Sequence, residues 1–193
     1  MHMKHFGDSY DIVKQSLIRW LGEFGSWSVH PMLTESASAP QLAAFERFLG
    51  ARVICAEVLT TATDRGSYLS CPSNCGNLFL DPDTGISLRE SRLRKPKTEY
   101  LFASELRRVI EERPEDLTLV FDQSLARGSE RRDMKPKLDA LQEHGISCFA
   151  YISQASFVLC SGNEALIRRA IKHVSTESRL PASCFFSGGA SYL

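Results

Sequence analysis

The chain has 193 residues, 23 acidic and 23 basic, and no formal net charge. That length supports one well-buried α/β domain and crowds two. The whole chain, 1–193, is therefore expected to fold as one unit, with 1–8 and 181–193 as loosely held ends. Balanced charge excludes a uniformly basic or acidic surface, although a local patch remains allowed. No apolar run reaches membrane-spanning length. No charged-then-apolar leader opens the chain, so a cytoplasmic protein with no membrane partner is expected.

Residues 9–21 carry Tyr10, Val13, Leu17, Trp20 and Leu21 on one stripe, the period of an amphipathic helix, with Asp8 as its N-cap. Trp27, Val29 and Met32-Leu33 predict a first strand, closed by Glu35. Pro40 opens a second helix with Leu42, Phe45, Phe48 and Leu49, and Gly50 stops it. Arg52 to Leu59 is a β-rich run with Glu57 near its end. Asn77-Leu78-Phe79-Leu80-Asp81-Pro82-Asp83-Thr84-Gly85 is an apolar run that stops on two carboxylates, a proline and a glycine. It predicts a buried strand that delivers acids to the rim of a sheet.

Ser87 to Thr98 is polar and basic, with Arg89, Arg92, Arg94, Lys95 and Lys97, and predicts an exposed arm. A third helix is expected over Glu99 to Glu112, stopped by Pro114. Leu117 to Phe121 is a second clear strand and ends on Asp122. A fourth helix from Glu130 to His144 carries Met134, Leu138 and Leu141. Ile146 to Ile152 and Phe157 to Cys160 are two strands joined by Ser153 to Ser156. That gap is too short for a crossover, so they pair antiparallel. Asn163 caps a last helix with Leu166, Ile167, Ala170, Ile171 and Val174. Strands alternating with helices predict a three-layer, Rossmann-like α/β fold: a mostly parallel sheet with a C-terminal antiparallel hairpin.

Four acids share one address. Glu35, Glu57, Asp81 and Asp122 each stand at or beside the predicted C-terminal end of a strand. Ligands of open α/β sheets sit at that edge, and clustered buried acids call for a metal, a ribose or a basic substrate. Asp81, Asp83 and Asp122 are thus the expected catalytic acids and ligands of Mg²⁺ or Mn²⁺, with Glu57 as a further ligand. Arg127, Arg131 and Lys135 follow Asp122 and are the expected grip on phosphate. Divalent metal beside phosphate-binding bases suits phosphodiester hydrolysis on nucleic acid.

Other signals are weaker. Cys71 and Cys75 lack the second ligand pair a zinc site needs. Ser124 lacks the context of a nucleophile elbow, and there is no P-loop. Among the histidines only His30, beside Pro31, stands out.

Leu78-Phe79-Leu80-Asp81-Pro82 resembles the strand ending in Asp-Pro of class I methyltransferases, nearest to the three-Cys-motif partner group. The Ile146 to Cys160 hairpin resembles the antiparallel pair that closes that sheet. Glu35-Ser36-Ala37-Ser38-Ala39 resembles their acidic Gly-rich loop, with alanines at the glycine places. The resemblance implies S-adenosylmethionine as cofactor, Glu35 and Glu57 holding it, and Asp81 holding a substrate amine. Three readings stay open: a metal-dependent nuclease, a methyltransferase-like enzyme, and a non-catalytic Rossmann-like subunit offering a docking surface to a protein partner or a second copy.

Overall fold

The apolar run before Asp81 forms the strand it predicts. The computed structural model describes residues 6–72, 74–91 and 93–189, and in it Asn77–Leu80 is a fully buried strand at the middle of a sheet. Arg92 of the expected arm, and residues 1–5 and 190–193 of the expected loose ends, lie outside the described residues. The elements in chain order are α1 (Ser9–Trp20), β1 (Trp27–His30), α2 (Ala39–Leu49), β2 (Arg52–Val53), α3 (Arg65–Tyr68), β3 (Asn77–Leu80), β4 (Gly85–Ser87), β5 (Tyr100–Phe102), α4 (Ala103–Glu111), β6 (Thr118–Phe121), α5 (Glu130–Gln142), β7 (Ser147–Ile152), β8 (Ser156–Ser161), α6 (Glu164–Ser178) and β9 (Phe185–Phe186).

The main sheet runs β2-β1-β3-β6-β8-β7-β9. Neighbours from β2 to β6 are parallel. The predicted hairpin forms, and β7 pairs antiparallel with β8. It does not close the sheet, as the resemblance implies it would. Instead β8 sits between β6 and β7, antiparallel to both, and the tail strand β9 adds outside β7 with Phe185 buried. The architecture is α/β and Rossmann-like in general, with a mixed sheet flanked by helices.

Alternation along the strands sorts the core into two layers. Phe79, Leu119, Phe121 and Phe157 pack on one face with Leu17 and Ile18 of α1, Phe45 of α2 and Ile167 and Ile171 of α6. Leu78, Leu80, Val120 and Val158 pack on the other with Leu106 and Val109 of α4 and Met134, Leu138 and Leu141 of α5.

Several boundaries differ from the sequence reading, each for a local reason. β1 stops at His30, where Pro31 and the left-handed backbone of Met32 (φ 46°) end the ladder. The β-rich run Arg52 to Leu59 therefore has nothing to extend on. It yields a two-residue strand, one further bond from Ile54 N to Val29 O (3.0 Å), and then irregular chain. Glu35 and Glu57 are accordingly not strand-end acids. The basic arm begins in strand β4, and the first residues of the expected third helix form β5, which pairs parallel with it. Among the described residues, no helix is long and apolar enough to cross a membrane.

Candidate functional site

Asp81 and Asp122 follow directly on β3 and β6, which are neighbouring parallel strands. Their register, however, sets Leu80 opposite Val120. Asp81 is one residue past that pair and Asp122 two past it. Since successive side chains alternate, Asp81 continues the face of Phe79 and Asp122 continues the face of Val120. The two carboxylates leave the sheet on opposite sides. The expected cluster does not form, and Asp81 and Asp122 share no metal site.

Each acid meets a lysine of its own layer instead. Asp81 is 1% exposed and accepts a bond from Lys14 Nζ of α1 at 2.9 Å. Lys14 also pairs with Asp11 at 3.0 Å and lies over the Phe121 ring. Burial works against the Lys14 ammonium, but the Asp81 and Asp11 carboxylates outweigh it and raise its pKa. Burial raises the Asp81 pKa, and Lys14 opposes that rise only in part. On the other face Asp122 is 0% exposed. One of its oxygens accepts from Lys137 Nζ of α5 at 2.5 Å. The other accepts from the amide and hydroxyl of Ser124, at 2.9 and 2.7 Å. Lys137 also donates to the Ser124 hydroxyl. Both carboxylate oxygens of Asp122 are thus engaged by its own chain.

The crevice between β1 and β3, where the strand order reverses, is filled in the same way. Pro31, Met32 and Leu33 are buried there. Thr34 bonds Asp83 across the gap, and the amide of Asp81 donates to His30 O at 3.1 Å. His30 is 1% exposed. Its Nδ1 accepts from Met32 N, which leaves the proton on Nε2 to donate to Tyr68 O at 2.8 Å. Burial lowers its pKa to about 4, so the ring is neutral at physiological pH. The backbone of β4 closes the Asp122 side: a Cβ on Gly85 (φ 125°) would overlap Asp122 Oδ1. Among the described residues, no group of three or more His, Cys, Asp or Glu side chains is placed to hold a metal ion. Asp81, Asp83 and Asp122 form no such group.

What remains open is the rim. A cleft of about 400 Å³ lies beside Asp122, lined by Tyr10, Gln123, Arg127, Glu130 and Gln154 among others. Gln123 N donates to Thr84 O (2.9 Å), and Ser124 Oγ, whose proton goes to Asp122, lies 3.4 Å from Ile86 O. Those contacts root the basic arm against the Asp122 loop, and its Arg89, Arg94, Lys95 and Lys97 are exposed. Of the expected phosphate-binding residues, Arg127 reaches the cleft. Arg131 lies over the Phe186 ring and donates to Ser183 O, and Lys135 pairs with Asp139 at 2.7 Å. Glu57 is exposed on a separate cleft of about 530 Å³ with Cys55 and Tyr68. Glu35 is half-buried and stands apart from that cleft's lining.

Lys14 and Lys137 escaped the sequence reading. Their signal was present: Lys137 is a single charge beside Met134, Leu138 and Leu141, and Lys14 sits with Asp11, an i,i+3 partner, among the apolar residues Tyr10, Val13 and Leu17. Compared with protein families, with curated proteins and with solved structures, the chain matches none.

Proposed function

We propose that the chain is a Rossmann-like binding subunit without a metal centre, and that its basic rim docks a phosphate-bearing polymer, nucleic acid in the first instance. One observation carries the non-catalytic part: Asp81 and Asp122 point to opposite faces, and each is neutralised by a buried lysine of the same chain. A carboxylate so engaged has little left to offer a cation. The docking part rests on exposed bases: Arg127 on the cleft, and Arg89, Arg94 and Lys95 on the arm whose first strand, β4, packs against the Asp122 loop. Phosphate contacts of this kind give affinity that falls steeply with salt.

The test is fluorescence anisotropy with a labelled oligonucleotide at low and physiological salt. Arg89→Glu/Arg94→Glu/Lys95→Glu, all at exposed positions, is expected to weaken binding at least about tenfold at low salt and to flatten the salt dependence. No binding by the unaltered protein at low salt, or equal binding by the triple variant, would sink the reading.

A methyltransferase-like reading keeps one specific support, the position of Glu57 on a cleft just past β2. Against it, the loop after β1 is packed into the core rather than left open as a cradle. A rise in melting temperature with S-adenosylmethionine, lost in Glu57→Ala, would favour it over docking alone.

A further inference from the structure

Resting on the docking reading, we propose that the cleft beside Asp122 receives one unpaired base, so that the polymer is single-stranded nucleic acid. The volume, about 400 Å³, lies within the range of small-ligand sites. Its lining sorts by chemistry. Tyr10 offers an aromatic surface, and its ring already packs against Phe121 at 6.0 Å, which holds it in place. Gln123 and Gln154 are exposed. An amide presents a donor and an acceptor together, the pattern that base edges also present. Glu130 can accept from an exocyclic amino group. Its carboxylate would repel a phosphate placed beside it, whereas Arg127 on the same lining would attract one, and Arg89, Arg94 and Lys95 are exposed and form no part of that lining. A base beside Glu130 and the glutamines, with its phosphate towards Arg127, is the arrangement this charge pattern permits. A duplex cannot use it, because its base edges are paired and its faces stacked. Single strands can splay a base out onto an aromatic ring.

The experiment compares one labelled sequence as a single strand and as a blunt duplex of equal length, by anisotropy at low salt. The single strand is expected to bind about tenfold tighter, the scale of one stacked base. Gln123→Ala/Gln154→Ala, at two surface positions, should lower single-strand affinity several-fold and leave duplex affinity unchanged. Tyr10→Leu should do the same, with circular dichroism confirming its fold. Equal affinity for both forms, or a glutamine variant that binds single strands like the parent, overturns the base-pocket proposal while the rim reading stands. Binding to neither form overturns the rim reading, and this proposal with it.

Discussion

Lys137→Met and Lys14→Met are each expected to lose about 3–5 kcal/mol of unfolding free energy, because each strips the partner from a buried carboxylate. The denaturation midpoint in urea at neutral pH measures it. The two variants should differ in how they are rescued. Asp122 keeps its bonds from Ser124 when converted to the neutral amide. Adding Asp122→Asn to Lys137→Met should therefore recover about 2 kcal/mol, since no uncompensated charge is left buried. Lys14 serves two acids, Asp81 at 2.9 Å and Asp11 at 3.0 Å, so Asp81→Asn should rescue Lys14→Met only in part. Without Lys14, burial, with the Asp11 charge beside it, holds the Asp81 pKa above the ordinary carboxylate value. A folded-state carboxyl raised in this way favours the protonated form, so the deficit of Lys14→Met should shrink as pH falls and grow as pH rises. Losses under about 1 kcal/mol in both lysine variants would mean that the acids do not depend on their lysines.

Acidification should destabilise the unaltered protein through His30. The folded ring titrates at about 4, against 6.5 in the unfolded chain. Between those values the unfolded chain takes up a proton that the folded chain refuses. Stability is therefore complete above pH 6.5 and declines as pH falls towards 4. The shift corresponds to about 3 kcal/mol. Unfolding free energies measured across this window for the parent and for His30→Gln should diverge by that amount, the variant being the flatter. Glutamine can still donate to Tyr68 O, so the comparison isolates the proton. Parallel pH profiles would show that His30 is not the group responsible.

The strands at Asn77–Leu80 and Thr118–Phe121 were legible because both are continuous apolar runs ending on an acid. The amphipathic stripes of α1, α2, α5 and α6 were legible for the same kind of reason: helical period shows in side-chain type. The convergence of the acids was not legible. It depends on a one-residue offset between β3 and β6, and a single residue decides which face a side chain takes. The shortness of β2 was hidden as well, because its sequence from Arg52 to Leu59 suits a strand. It is the neighbouring strand that ends at Pro31 and withholds the ladder. The β4–β5 pair was missed because three-residue strands leave almost no periodicity to read. On the rim, Arg127 could be picked out beside Asp122, but Gln123 and Gln154 come from segments that only the tertiary fold brings to one cleft.

The claim beneath all of this is that the acids at the ends of β3 and β6 are held by the protein's own lysines and not reserved for a metal ion. Electron paramagnetic resonance of Mn²⁺ tests it most directly, since only the hexaaquo ion gives the sharp solution signal. Adding equimolar protein at neutral pH should leave that signal at full height. A stoichiometric loss of signal that is restored by Asp81→Asn or Asp122→Asn would contradict the claim.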